Sequence, residues 1–379
     1  MPSTPEFYLG LMSGTSLDGI DAVLVEFAGE RIAARAHASS PLPASLRAEL
    51  LALNAPCGVD ELHRSALAAN ALARQYASLV EAVLTDACVP ASAVRAIGAH
   101  GQTVRHRPSE FDDVGYTLQL NSPALLAELS GIDVVADFRS RDLAAGGQGA
   151  PLVPAFHRAV FGQSGKRLAV LNLGGIANLS ILPAPDDADG DVILGFDCGP
   201  ANALLDHWCQ QHLGQAFDEG GRWASSGQVL HGLLDRMLAD AYFERMPPKS
   251  TGRDLFNPEW LTGHLQACSA PVRAQDVQAT LAELTAVSVL RDLHRHGGNA
   301  VELIVCGGGA FNKHLLSRIA AHRSGVQVLT SSERGLPPTQ VEAAAFAWLA
   351  RATIRRESGN LPSVTGARGP RVLGAIYPA

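Results

Sequence analysis

Apolar and polar positions near the N-terminus fall into two short runs. Phe7 to Met12 reads as one strand, and Ile20 to Phe27, alternating and β-branched, reads as a second. Between them lies Ser13-Gly14-Thr15-Ser16-Leu17-Asp18-Gly19, so the two runs are expected to form a hairpin. From 44 to 88 the period lengthens. Leu46, Leu50, Leu53, Leu62, Leu67, Leu72, Leu79, Val83 and Leu84 recur at three- and four-residue steps, which predicts helices that serve as packing surface. Val94 to Ala99 returns to a strand pattern and ends in His100-Gly101-Gln102-Thr103. Val134 to Ala136 likewise ends in charge, at Asp137-Phe138-Arg139-Ser140-Arg141-Asp142, with a glycine-rich loop at 146–151 after it.

The stretch from Leu168 to Leu182 repeats the opening order of strand, small-residue turn and strand. This weak duplication puts a boundary near residue 160 and predicts two domains, 1–160 and 161–379. Past an acidic, solvated loop at 186–191, Val192 to Phe196 is a short strand that delivers Asp197 at its C-terminal end. Gly199 and Pro200 are expected to force a tight turn there, with Asn202 capping the helix that carries Leu204, Leu205 and Trp208. Helical patterns follow at 230–242 and 277–294, separated by a polar loop containing Lys249, Ser250, Thr251, Gly252, Arg253 and Asp254. Val301 to Cys306 is a strand closed by Gly307, Gly308 and Gly309, with Asn312 near the start of the next helix. A last helix opens at 339–347 with Glu342 in its first turn, where the helix dipole favours a carboxylate.

Several of these positions suit chemistry. A carboxylate at a strand end beside helix-start amides fits phosphoryl transfer: the amides hold phosphate oxygens and Asp197 orients or deprotonates a nucleophile. A turn-capping role for Asp197 accounts for the same residues. The turn at 13–19 exposes amides and hydroxyls that can form a phosphate-binding nest, or is an ordinary hairpin turn. It is not a Walker A loop, because it lacks the Gly-Lys-Ser/Thr step and the strand-to-helix transition. His100 stands where open α/β sheets place ligands, or simply bonds a loop. The cluster from Asp137 to Asp142 suits bidentate capture of a carboxylate or hydroxyl ligand, or an ion-pair knot. Lys249 and Arg253 suit phosphate or sugar, or face water.

Composition narrows the partners. The chain has 379 residues, 47% hydrophobic and 18% charged, an ordinary balance for a globular protein of two domains. A net charge of −7 argues against nucleic acid, and the basic runs at 105–107 and 351–356 are too short to reverse that. Six cysteines stand singly, without paired spacing, which fits a reducing cytoplasm. Neither a signal-peptide pattern nor an apolar run of membrane-spanning length is present, so no membrane partner is expected.

The hairpin at 13–19, the Asp197 turn at 197–202 and the strand–glycine–helix unit at 305–312 stand in an order that resembles the sugar kinase/actin/Hsp70 superfamily. There they are the phosphate-1, phosphate-2 and adenosine motifs. A closer resemblance is to the anhydro-N-acetylmuramic acid kinase family. It runs through Leu11-Met12-Ser13-Gly14-Thr15-Ser16-Leu17-Asp18-Gly19-Ile20-Asp21, then 100–103, 137–139, 145–151, 172–178 and 248–253. Two departures stand out. The first strand reads Leu9-Gly10-Leu11-Met12, without the Asp that often opens the superfamily's first phosphate motif. Cys198-Gly199-Pro200-Ala201 replaces the more usual Thr and Gly.

The resemblance implies an α/β fold of two ribonuclease-H-like domains around a central nucleotide cleft, and a homodimer. It implies that ATP and water convert the 1,6-anhydro sugar to N-acetylmuramic acid 6-phosphate and ADP, in the recycling of cell-wall peptidoglycan. Asp197 would be the general base. Gly14, Thr15, Ser16, Leu17, Asp18, Gly19, Ile20 and Asp21, with Gly199, Asn202, Gly307, Gly308, Gly309 and Asn312, would hold ATP. Mg²⁺ would be met through water by Asp18 or Asp197. His100, Gln102, Arg139 and Glu342 would contact the sugar, Arg139 taking its lactyl carboxylate. The rival readings are another sugar or acid kinase of the superfamily and an ATP-dependent scaffold of the actin/Hsp70 kind.

Overall fold

The N-terminal hairpin is made by β1 (Glu6–Ser13) and β2 (Gly19–Ala28), antiparallel from Glu6 opposite Phe27 to Ser13 opposite Ile20. A computed structural model of the chain describes residues 4–14, 17, 19–29, 31–56, 58–184, 192–252, 255–268, 271–322 and 325–379. Thr15, Ser16, Asp18, the acidic stretch 186–191, Arg253 and Asp254 lie outside the described residues. Contacts divide the chain into two units, Met1–Val160 with Gln340–Ala379, and Phe161–Thr339.

In the first unit, β2 pairs on its other edge with β3 (Arg31–Pro41), antiparallel. The helices Ala44–Asn54 and Glu61–Ala87 then carry the chain across to β4 (Val94–Ala99), which joins β1 in parallel. A two-stranded ribbon follows, β5 (Gln102–Pro108) with β6 (Gly115–Leu120). The strand β7 (Val134–Ala136) extends the sheet beyond β4, again in parallel, and Ala375–Tyr377 closes that edge. The core is built on Leu9, Leu11, Leu24, Leu50, Leu72, Tyr76, Val80 and Val83. The expectation that all the periodic leucines at 44–88 serve packing fails at Leu62 and Leu67, which are exposed; the buried stripe runs through Ala68, Leu72, Tyr76, Leu79 and Val83.

The second unit repeats this plan. Antiparallel β8 (Leu168–Leu173), β9 (Ile176–Leu182) and β10 (Leu194–Pro200) are followed by helices, and β11 (Glu302–Cys306) and β12 (Gln327–Thr330) add in parallel beyond β8. The strand orders are β3-β2-β1-β4-β7 and β10-β9-β8-β11-β12. In chain order both read 3-2-1-4-5, with the second strand antiparallel to its two neighbours. That is the ribonuclease-H-like topology, present twice.

The structure corrects the expected assignment of 340–379 to the second domain. The helix Val341–Ile354 belongs to the first unit, where its Ala-rich turns lie on β1 and β4. Gly10 and Gly98 make this approach possible: a Cβ at either would collide with the carbonyl oxygen of Ala343 or Phe346. No described helix is long and apolar enough to cross a membrane.

Candidate functional site

In the second unit, Asp197 does not end its strand as expected. β10 runs on to Pro200, because pairing with β9 continues to Pro200 opposite Ile176. The register slips between Asp197 and Gly199, a bulge of the kind that re-aims a side chain. The carboxylate is held from two sides. Oδ1 accepts from Asn178 Nδ2 at 2.9 Å, and Asn178 is the register partner of Asp197 on β9. Oδ2 accepts from Ser250 Oγ at 3.0 Å and from the Thr251 amide at 2.9 Å. The backbone is fixed as well: Asp197 N donates to Lys249 O at 3.2 Å, and Tyr242 Oη donates to Asp197 O at 2.8 Å.

Burial pushes the Asp197 carboxyl above its ordinary value, while its three donors and the Lys249 ammonium pull it back. The Thr251 hydroxyl is buried with no partner among the described residues. Lys249 neither faces water nor stands open to a ligand. Its side chain is buried, with Nζ 2.8 Å from Asp292 Oδ2 on the helix Ala274–His296.

The amides expected to cradle phosphate at 201–203 are already committed. Ala201 and Ala203 donate to Gly175 O, and Asn202 N donates to Gly174 O. Asn202 is the first residue of the helix Asn202–Leu213 rather than its cap, and its Nδ2 donates to Leu173 O at 2.9 Å. Gly199 is packed beneath Phe243. The open backbone lies at Gly174, Gly175 and Gly308, where an added Cβ would meet only ordinary contacts, the last beside Asn202 Nδ2. Gly307 and Gly309 are closed against Asn172 and Leu173. Asn312 caps the helix Lys313–Ala321, accepting from Leu315 N at 3.0 Å.

In the first unit, Leu17 and Ile20 point into the core, so only their backbone can serve a ligand. Leu17 takes a left-handed conformation at φ 58° and its amide donates to Gly14 O. Gly19 lies tight against Ser40, and Asp21 Oδ1 stands 3.1 Å from His37 Nε2 on β3. Thr15, Ser16 and Asp18 are among the undescribed residues.

The four expected sugar contacts gather in this unit. Arg139 Nη2 donates to His100 Nε2 at 2.8 Å and its Nη1 to Gly149 O at 2.8 Å. Burial pushes the guanidinium down to about 10, against the charge of Glu342 and Asp142. Gln102, two residues past His100, is buried and accepts from the Ser13 hydroxyl at the end of β1. The cluster at 137–142 divides by role. Asp142 is fully buried and structural: Oδ1 accepts from Asn360 and Thr365, and Oδ2 from the Gly149 amide. It thereby ties the glycine-rich loop to the C-terminal segment.

Sequence reading gave no individual role to Asn178, Ser250, Thr251, Tyr242 or Asp292, and left Lys249 between a ligand and water. Asn178, Lys249, Ser250 and Thr251 lie in segments marked by the family resemblance, which was the available signal. Asp292 sits in the helical run 277–294, which carried no site signal.

A duplicated ribonuclease-H-like fold defines the class, the sugar kinase/actin/Hsp70 type, here with a half-buried and triply hydrogen-bonded aspartate in the second unit. The model of the family described as anhydro-N-acetylmuramic acid kinase matches residues 6–379. The chain is 67% identical over 377 residues to the anhydro-N-acetylmuramic acid kinase of Variovorax paradoxus (strain S110), covering 99% of each. To that of Albidiferax ferrireducens it is 58% identical, covering 99% of this chain and 100% of the relative; to that of Cupriavidus metallidurans, 56%, covering 100% of both. The chain belongs to the anhydro-N-acetylmuramic acid kinase family. As a kinase it uses ATP and acts on a small molecule.

Proposed function

We propose that this chain opens the 1,6-anhydro ring of anhydro-N-acetylmuramic acid with water and phosphorylates O6, with Asp197 as the general base. The observation that carries the reading is the Asp197 carboxylate, aimed by a bulge, half-buried and supported by Asn178, Ser250 and Thr251. Asp197 takes a proton from water as the water oxygen bonds to C1. The C1–O6 bond breaks, O6 keeps the electron pair and bonds to the γ-phosphorus, and ADP leaves. The proton on Asp197 then passes to solvent. Burial raises the carboxyl toward the pH at which it must accept that proton, and the three donors keep it ionised beforehand.

In the second unit, the open backbone at Gly174, Gly175 and Gly308 and the side-chain amide of Asn202 are suited to ATP, with Gly307, Gly309, Gly199 and Asn312 assigned to the same motifs. In the first unit, the residues from Gly14 to Asp21 are assigned to its phosphates. No three His, Cys, Asp or Glu side chains gather into a metal cage among the described residues. Mg²⁺ is compatible with this, since it binds through one or two carboxylates and substrate phosphates. Asp197 Oδ1, with one described donor, and Asp18 would meet it through water. When bound, it would neutralise charge on the ATP phosphates. Arg139 is assigned to the lactyl carboxylate, with His100, Gln102 and Glu342 supporting it. The family resemblance supports a homodimer, and the scattered cysteines support the cytoplasm as its place of work.

The test is turnover in H₂¹⁸O, sampled within minutes against unlabelled product held in the same water. One labelled oxygen at C1 and none in the phosphate is expected. Product whose C1 oxygen is no more labelled than the control overturns the coupled scheme.

A further inference from the structure

We infer that Lys249 and Asp292 form a positioning pair for the carboxylate of Asp197, a buried clamp holding the loop that supplies two of its three side-chain hydrogen bonds. Lys249 Nζ lies 2.8 Å from Asp292 Oδ2 and 3.1 Å from Oδ1, and both side chains are at most 3% exposed. From the same residue, Lys249 O accepts the Asp197 amide; the next two residues place Ser250 Oγ and Thr251 N on Oδ2. The ammonium also lies over two rings that flank Asp197, 5.7 Å from the centroid of Phe196 and 5.2 Å from that of Tyr242. Phe196 precedes Asp197 in β10, and the Tyr242 hydroxyl holds the Asp197 carbonyl. Lys249 therefore touches or carries most of what fixes Asp197.

Fold stability alone is a weak reason for such a pair. Desolvating two charges offsets most of their attraction, and an apolar pair of similar volume is commonly as stable or more so. What an apolar pair cannot do is pin the chain at one point with a directional contact. Asp292 is anchored in the long Ala274–His296 helix, so the clamp ties the loop 247–251 to a rigid element. Displacing a catalytic group by about 1 Å costs roughly 10²-fold in rate, so a loosened loop would be felt in turnover.

The experiment is the double variant Lys249→Met/Asp292→Leu, which removes both charges and leaves neither unpaired. It is compared with wild type for kcat, for KM of both substrates and for thermal unfolding. Expected is a folded protein whose KM for ATP stays within about twofold while kcat falls roughly tenfold or more. A folded double variant with wild-type kcat overturns the inference. If the double variant does not fold, Asp292→Asn decides, because it keeps shape while removing the counter-charge: a kcat loss of the same kind is expected, and wild-type kcat overturns the clamp. The inference rests on reading Asp197 as the base, so Asp197→Asn is measured alongside. Near-normal turnover there sinks the base, whereas loss there with wild-type kcat in the clamp variants sinks the clamp alone.

Discussion

Arg139 donates to Nε2 of His100 at 2.8 Å, and since a guanidinium has no acceptor, that imidazole nitrogen must carry a lone pair. His100 is therefore neutral where it sits, with its ring 4.7 Å from that of Phe346. Burial pushes its pKa down to about 3, and the Arg139 charge works in the same direction. The neutral ring serves as an acceptor that turns Arg139 toward Gly149, leaving the guanidinium's remaining donors for a ligand.

A pH dependence follows. His157, also buried in the first unit, is likewise pushed down to about 3 by desolvation. Both folded values lie below the ordinary histidine value, so the stability they contribute is full above about pH 6.5. It is lost as pH falls from there toward 3, because the unfolded chain binds protons that the folded chain refuses. Each group contributes a slope of about 1.4 kcal/mol per pH unit in that window. The check is twofold. Histidine C2–H signals of His100 and His157 should not titrate between pH 8 and 5, and the melting temperature should fall steadily below pH 6. A His100 midpoint near 6.5 would remove this account.

Asp197→Asn separates chemistry from folding. An asparagine places an amide NH₂ where one carboxylate oxygen stood, and leaving its carbonyl toward Ser250 and Thr251 keeps both of those bonds. The NH₂ then faces Asn178, whose own side-chain amide can turn to accept. The loss of stability is thus about 1 kcal/mol, one weakened hydrogen bond. Turnover should fall by about 10²-fold or more while ATP binding persists, as for removal of a general base. Calorimetric titration with ATP, kcat and thermal unfolding on the same preparation check this. Near-normal kcat would return Asp197 to a structural role.

How much of this was legible in the sequence depends on how local each signal was. The hairpin of β1 and β2 and its repeat in β8 and β9 were readable, because period-two patterns flanking small residues are self-contained. Asp197 stood out as a carboxylate after an apolar run. That β10 continues through Gly199 and Pro200 was not readable: Gly-Pro spells a turn, and pairing with β9 overrides it. The return of Val341–Ile354 to the first unit was equally hidden, since it depends on Gly10 and Gly98 meeting a helix hundreds of residues away. The burial of Lys249 on Asp292 was hidden for a related reason. Single charges in polar or helical stretches look solvated until the fold buries them together.

Gly10 and Gly98 give the remaining prediction. Alanine at Gly10 would drive its Cβ into the carbonyl oxygen of Ala343, and alanine at Gly98 into that of Phe346. Both obstacles are helix backbone, which cannot rotate aside as a side chain could. The helix Val341–Ile354 must lift, and it carries the buried residues Ala343, Ala344, Phe346, Ala347 and Leu349. Overpacking of this sort costs about 3 kcal/mol or more. For a unit of this size that lowers its melting temperature by roughly 6–12 °C. Glu342 rides in the first turn of the same helix and supports the charge of Arg139, so the KM for sugar should rise along with the loss of stability. Gly263 is the control. It lies within the helix Pro258–Gln266 with nothing within 4 Å of its added Cβ, so Gly263→Ala should stabilise by about 0.5–1 kcal/mol. Differential scanning calorimetry of the three variants decides: a Gly10→Ala protein that melts with wild type would mean the helix does not rest on β1 as closely as described.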